Sequence, residues 1–121
     1  KESILQHWPN VTVFERRDVS GGLWNPEEGT GMYDALWTNG PKENIEFFDL
    51  TFEEFFGGPM PVYLPRQAFY EYMMARVTQY TPDILEKYYQ FNTSVEFVAF
   101  DDETELYEIT TSNTETSLER T

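Results

Sequence analysis

The stretch VTVFERRDVSGGLWNP, residues 11–26, decides how this chain is read. Val11 to Glu15 is a short apolar run of β-branched and aromatic residues, the pattern of a strand. It ends on a carboxylate, Glu15, and a few residues later reaches Gly21-Gly22-Leu23-Trp24. An acid at a strand end followed by a glycine pair and a tryptophan has two readings. It is either an ordinary turn in a core, or one part of a ligand site.

Working outward, KESILQHWPN reads as the end of a helix stopped by Pro9 and Asn10. Residues 17–31 hold Gly21, Gly22, Gly29, Gly31 and Pro26, so they read as a loop. Residues 32–65 are irregular, with breakers at Asn39-Gly40-Pro41 and Gly57-Gly58-Pro59, yet rich in aromatics that need burial. This segment reads as a packed excursion, and its EEFF run as a solvated face. A helix is expected from about Arg66 to Tyr80. Pro65 stands at its start, and Phe69, Met73, Val77 and Tyr80 lie on one face. Thr81 is the expected N-cap of a short helix that follows. YQFNTSVEFVAF reads as one strand, Asp101 to Thr104 as a polar turn, ELYEITTS as a second strand and TETSLERT as a third. Consecutive strands with short turns predict an antiparallel meander. The expectation is one α/β domain over 1–121, with one main helix.

Charge narrows the function. Twenty-two acids against 8 bases give a net charge of −14. Such a field repels a phosphate backbone and anionic lipid, and no basic cluster offsets it, which argues against nucleic-acid and anionic-membrane binding. The chain has no cysteine and one histidine. Thiol chemistry, disulfides within the chain and multi-histidine metal sites are therefore excluded, and no metal site is expected. No apolar run approaches the roughly 18 residues of a membrane span.

In dinucleotide-binding folds a glycine-rich loop follows the first strand, and an acid about 20 residues later binds ribose hydroxyls. Glu15 has the chemistry for that role; a solvated acid is the alternative. Glycines 21 and 22 can admit a ligand close to the backbone, and Trp24 can wall it. A plain turn with a core tryptophan is the alternative there. Asn39, before Gly40-Pro41, can stabilise its turn or present a donor and an acceptor to a ligand.

Together these pieces resemble the flavin-containing monooxygenases. The resemblance rests on six segments in family order. They are the strand ending in Glu15-Arg16, Gly-Gly-Leu-Trp, Tyr33-x-x-Leu36-x-Thr38-Asn39-x-Pro41-Lys42-Glu43, FFDLTF, VYLPRQAFYEYMMARV and QFNTSVEFV. It covers residues 4 to 112. It implies a partial Rossmann-like FAD-binding domain. It also implies FAD and NADPH as cofactors, and oxygenation of small soft nucleophiles at nitrogen or sulfur through a flavin C4a-hydroperoxide. By this resemblance Glu15 and Arg16 match positions at the FAD adenosine ribose. Gly22, Leu23 and Trp24 match the flavin-contacting turn. Thr38, Asn39 and Gly40 match positions beside the nicotinamide and flavin, with Asn39 as the catalytic candidate. Val95 matches a backbone contact to adenine. A cytoplasmic or endoplasmic-reticulum-face location is implied in the same way. The family's two glycine loops are not in this sequence, so the expectation is an internal fragment of the FAD domain, without the NADPH domain and inactive alone. The first loop is then expected upstream of Lys1. A truncated paralogue acting as a binding or structural subunit, its aromatics covered by a protein partner, is the other expectation.

Overall fold

The computed structural model describes residues 10–27 and 31–115. The expected helix end before Asn10, His7 within it, and most of the expected third strand lie outside the described residues. The chain divides into two compact units. One comprises the residues up to Ser20 together with those from Asp83 onward, and the other comprises Gly21–Pro82.

In the first unit, β1 (Val13–Phe14) pairs in parallel with β2 (Tyr89–Gln90). The ladder runs past β1, because Glu15 donates from its N–H to the Gln90 carbonyl and accepts from Thr93 N–H, both at 2.9 Å. A short helix, α3 (Ile84–Tyr88), leads into β2. Its N-cap is Asp83, not Thr81. The expected single strand over 89–100 is broken at Asn92, which takes φ 52°. Asn tolerates this left-handed conformation better than most residues, and it frees the chain to leave the parallel pair. From there β3 (Thr93–Asp101) and β4 (Leu106–Asn113) form an antiparallel hairpin with a bulge between Val95 and Phe97. Asp101 closes the turn by accepting from Glu103 N–H at 2.8 Å, and this contact is the first cause holding its carboxyl below the usual range.

The second unit is built on α2 (Arg66–Thr78). Phe52, Leu64 and Tyr72 are fully buried, with Ile45, Leu50, Phe55, Phe56, Met60 and Phe69 packed around them. Each such buried side chain contributes roughly 1.5–3 kcal/mol. The buried stripe of α2 differs from the expected one: Arg66 and Tyr72 are buried, whereas Tyr80 is about half exposed. Burial here follows hydrogen bonding as much as apolarity. The Tyr72 hydroxyl donates to the Leu50 carbonyl and accepts from Phe47 N–H at 2.7 Å, so the ring can sit in the core without an orphaned hydroxyl. Burial raises its pKa and keeps the donor protonated.

The EEFF run is not a bare solvated face. It lies within a helix, α1 (Phe52–Phe56), whose Phe52 belongs to the core. Thr51 and Glu54 form a reciprocal capping box, and Gly57 ends the helix at φ 73°.

Candidate functional site

The second unit holds a cavity of about 320 Å³, lined by Trp24, Met32, Leu36, Trp37 and Asn39. Two of these, Trp24 and Asn39, are residues picked from the sequence. The turn that carries Trp24 is a 3-10 helix over Gly22–Trp24, entered from Gly21 at φ 102°. Gly21 is glycine for a second reason. A Cβ there would stand 2.4 Å from the Tyr70 ring. Gly22 also has positive φ, 54°, but faces open space. The pair thus divides its work: Gly21 lets the turn sit on α2, and Gly22 leaves room in front of it. Trp24 meets Phe69 edge-on at 4.6 Å, while Leu23 is largely exposed.

Thr38 and Asn39 act differently. Thr38 is buried, and its hydroxyl donates to the Gly40 carbonyl and accepts from Leu64 N–H, both at 3.0 Å. Its own N–H donates to the Leu64 carbonyl at 2.8 Å. Thr38 therefore anchors the turn on the segment before α2. Asn39, next to it, is exposed and lines the cavity. Gly40 has nothing within 4 Å of where a Cβ would stand.

In the first unit, Glu15 folds back on its own chain, with Oε1 accepting from Arg17 N–H at 2.9 Å. A carboxylate has about four acceptor positions, so this leaves capacity for hydroxyl donors. Arg16 lines a second cavity, of about 370 Å³, with Arg17, Asp18, Asn92, Thr114 and Glu115. The Arg16 carbonyl accepts from the Thr114 hydroxyl at 3.0 Å, and the Arg17 carbonyl from Asn92 N–H at 2.9 Å. Val95 pairs with Thr111 just before the bulge and is not among the lining residues.

Two indoles, a thioether and a leucine around one amide suit a flat heterocycle with a polar edge. The ring portion of a flavin therefore fits the residues present. Its pyrophosphate does not find the Gly-x-Gly-x-x-Gly cradle within these 121 residues. Among the described residues, His, Asp and Glu side chains form no group of three suited to a metal ion.

Sequence reading missed Arg66, Asn25, Met32 and Trp37, and it named Leu36 only as part of the Tyr33-to-Glu43 segment and not as a site residue. Asn25 is almost fully buried. Its Oδ1 accepts from Glu27 N–H at 3.0 Å, and its Nδ2 lies 3.4 Å from the Tyr70 hydroxyl. Burial, then the nearby Glu27 charge, raises the Tyr70 pKa. The signal for Leu36 and Trp37 was present, since both flank the Thr38-Asn39 pair.

Residues 3–117 match the family model described as FMO-like, flavin-binding monooxygenase-like, and the chain belongs to this family. Within it, the chain is similar to several trimethylamine monooxygenases. That of Methylocella silvestris is 40% identical over 113 residues, covering 84% of this chain and 24% of the relative. Human flavin-containing monooxygenase 1 is 36% identical over 96 residues, covering 75% of this chain and 17% of that protein. The crystal structure of Tmm from Pelagibacter sp. strain HTCC7211 matches with a TM-score of 0.66 and 27% identity, over 93% of this chain and 30% of that one. The chain spans about a quarter of the length of the trimethylamine monooxygenases it matches. The expected α/β class with one main helix agrees with that crystal structure, and of the expected antiparallel meander the described residues hold the two-stranded hairpin β3–β4. Among the described residues no helix is long and apolar enough to cross a membrane.

Proposed function

We propose that this chain forms part of the flavin site of an FAD- and NADPH-dependent monooxygenase that oxygenates small soft nucleophiles at nitrogen or sulfur. The observation that carries the reading is the meeting of Trp24 and Asn39 at one indole-lined cavity. The names of the similar bacterial proteins favour a tertiary amine as the substrate.

In this reading the flavin supplies the ring at which NADPH and dioxygen react. The chain's own residues bind and shield it. Trp24, with Leu23 and the open backbone at Gly22, walls the ring and keeps water from it. Asn39 offers Nδ2 as donor and Oδ1 as acceptor to the ring's polar edge and to the nicotinamide. Thr38 positions Asn39 through its bonds to Gly40 and Leu64, and Gly40 leaves room for the ring. Glu15 accepts from the adenosine ribose hydroxyls, Arg16 lies beside that ribose, and the Val95 backbone meets the adenine. The isolated 121 residues bind FAD weakly and do not turn over, since they carry no pyrophosphate cradle.

The test is a chimera in which residues 3–117 replace the matching stretch of the Methylocella enzyme. It should retain stoichiometric FAD and oxidise NADPH with formation of amine oxide. The isolated chain, titrated with FAD, should show no saturable change in flavin absorbance below millimolar concentration. A chimera that folds but purifies without flavin rejects the assignment.

A second reading, a non-catalytic binding or structural subunit, is favoured by the apolar face of the hairpin. Val98, Phe100, Tyr107 and Ile109 share that face and are each about half exposed or more. A flavin-free but soluble chimera would favour this second reading.

A further inference from the structure

Arg66 stands apart from the chain's other bases. It opens α2, and it is about 1% exposed in a chain with only 8 lysines and arginines. Burying a guanidinium is costly unless its donors are met in good geometry. Among the described residues, its side chain is held by backbone carbonyls of loops. One terminal nitrogen donates to the Met32 carbonyl at 2.9 Å, and the other to the Asn25 carbonyl. The first also lies 3.7 Å from Asp34 Oδ1, a carboxylate that is 98% exposed and thus well screened. The Arg66 backbone N–H donates to the Leu36 carbonyl at 2.9 Å.

These three carbonyls have one thing in common. Met32 and Leu36 line the 320 Å³ cavity, Asn25 follows the lining residue Trp24, and Leu36 precedes the lining residue Trp37. One residue thus ties two loop segments, one at Asn25 and one over residues 32–36, to the start of α2. We propose that Arg66 is a positioning residue that sets the walls of this cavity, acting through the Asn25, Met32 and Leu36 carbonyls. As a determinant of flavin binding, the proposal rests on the reading of the cavity given above.

The planar guanidinium matters to the argument. Two donors fixed in one plane hold two carbonyls at a set separation, whereas a lysine ammonium is a single point on a flexible stem. The backbone N–H bond survives any substitution except proline. Substitution should therefore loosen the walls fed by Asn25 and Met32 first, and the Leu36 wall only through them.

The test is hydrogen–deuterium exchange on the full chain, comparing wild type with R66K, R66M and R76M. The reporter amides are Trp24 and Asn25, bonded to Gly21 and Gly22, and Leu36, bonded to Tyr33. In R66M they should exchange at least about tenfold faster, with smaller changes in R66K, while amides of α2 beyond Phe69 hold. Arg76 is an internal control. It lies on the same helix but binds Asp49 at 2.8 Å, so R76M should leave the three reporters unchanged. R66M reporters within twofold of wild type would overturn the proposal. So would uniform acceleration along α2, which marks a general stability role. If R66M fails to fold, R66K decides by the same criterion of local against uniform change. In the chimera, the same R66M change should weaken FAD affinity at least about tenfold. Faster exchange without any loss of FAD affinity would keep Arg66 as the positioning residue and reject the cavity as the flavin site.

Discussion

At the scale of single residues, adjacent positions of the same type prove unequal. Gly21 and Gly22 both sit at positive φ, yet only Gly21 has a neighbour within reach of an added Cβ. Gly21→Ala should therefore cost about 2 kcal/mol or more, combining backbone strain with overpacking against Tyr70. Gly22→Ala carries only the left-handed strain, about 1 kcal/mol. Urea unfolding of the two variants checks the order, and equal losses would show that Tyr70 simply moves aside. Gly22→Ala should hurt flavin binding in the chimera instead, since it fills space that is open in the chain alone. Thr38 and Asn39 differ in the same way. Thr38 is spent on backbone partners, and Asn39 faces the cavity. Asn39→Ala in the chimera should leave FAD content unchanged while raising the fraction of NADPH consumed without oxygenated product. Unchanged coupling in a stopped-flow assay would remove Asn39 from the chemistry. The sequence made Asn39 legible through its breaker context. It gave no sign of Arg66, because carbonyl partners on loops leave no mark in residue type.

At the scale of elements, strong local signals were legible and context-dependent ones were not. The start of α2 at Pro65, the hairpin and its Asp101 turn follow from local chemistry. The break at Asn92 does not, because YQFNTSVEFV has strand composition throughout and only the pairing partners of β2 and β3 differ. The short helix α1 was legible, since Thr51-x-x-Glu54 followed by Gly57 is a capping-box pattern with a glycine stop. Its four acidic and aromatic letters drew attention to charge rather than to the cap. The cap carries a pH signature. Glu54 accepts from Thr51 N–H at 2.9 Å and from the Thr51 hydroxyl at 3.0 Å, the backbone contact being the larger cause that lowers its pKa. A carboxyl lowered by folding adds stability above its unfolded pKa, near about pH 4.3, and loses it as pH falls through the folded value. Thr51→Ala removes the hydroxyl contact and the acceptor for Glu54 N–H at 3.2 Å. It should cost about 1 kcal/mol at pH 7 and less at pH 3. It should also move the Glu54 carboxyl titration, followed by NMR, upward toward the ordinary glutamate range. A Glu54 midpoint that does not move would mean that the backbone contact alone sets it.

At the scale of the whole molecule, charge and exposed apolar surface oppose each other. The net charge of −14 was fully legible, and it keeps copies apart at low ionic strength, where the Debye length is about 30 Å at 0.01 M. The apolar hairpin face was not legible, because Val98, Phe100, Tyr107 and Ile109 have the composition of buried strands. Only the register puts all four on one side: Val98 opposite Ile109, and Phe100 opposite Tyr107, with the latter two rings 5.1 Å apart. The opposite face is mixed, with Phe97, Ala99 and Leu106 against Thr110, Glu108 and Asp101. Salt should therefore act on the isolated chain in a definite direction. At about 0.01 M the charges repel across the distance between two molecules; at about 0.3 M that repulsion is screened to a few ångströms while apolar attraction remains. Sedimentation velocity should show monomer at low salt and reversible association at high salt. Val98→Thr with Ile109→Thr keeps the charge and the strand propensity and lowers the apolar area. This double variant should stay monomeric at both salt concentrations. Association that weakens with salt would instead trace to ion pairing between copies, and association unchanged in the double variant would move the contact to the exposed aromatics of the other unit, Phe48 and Tyr33 among them.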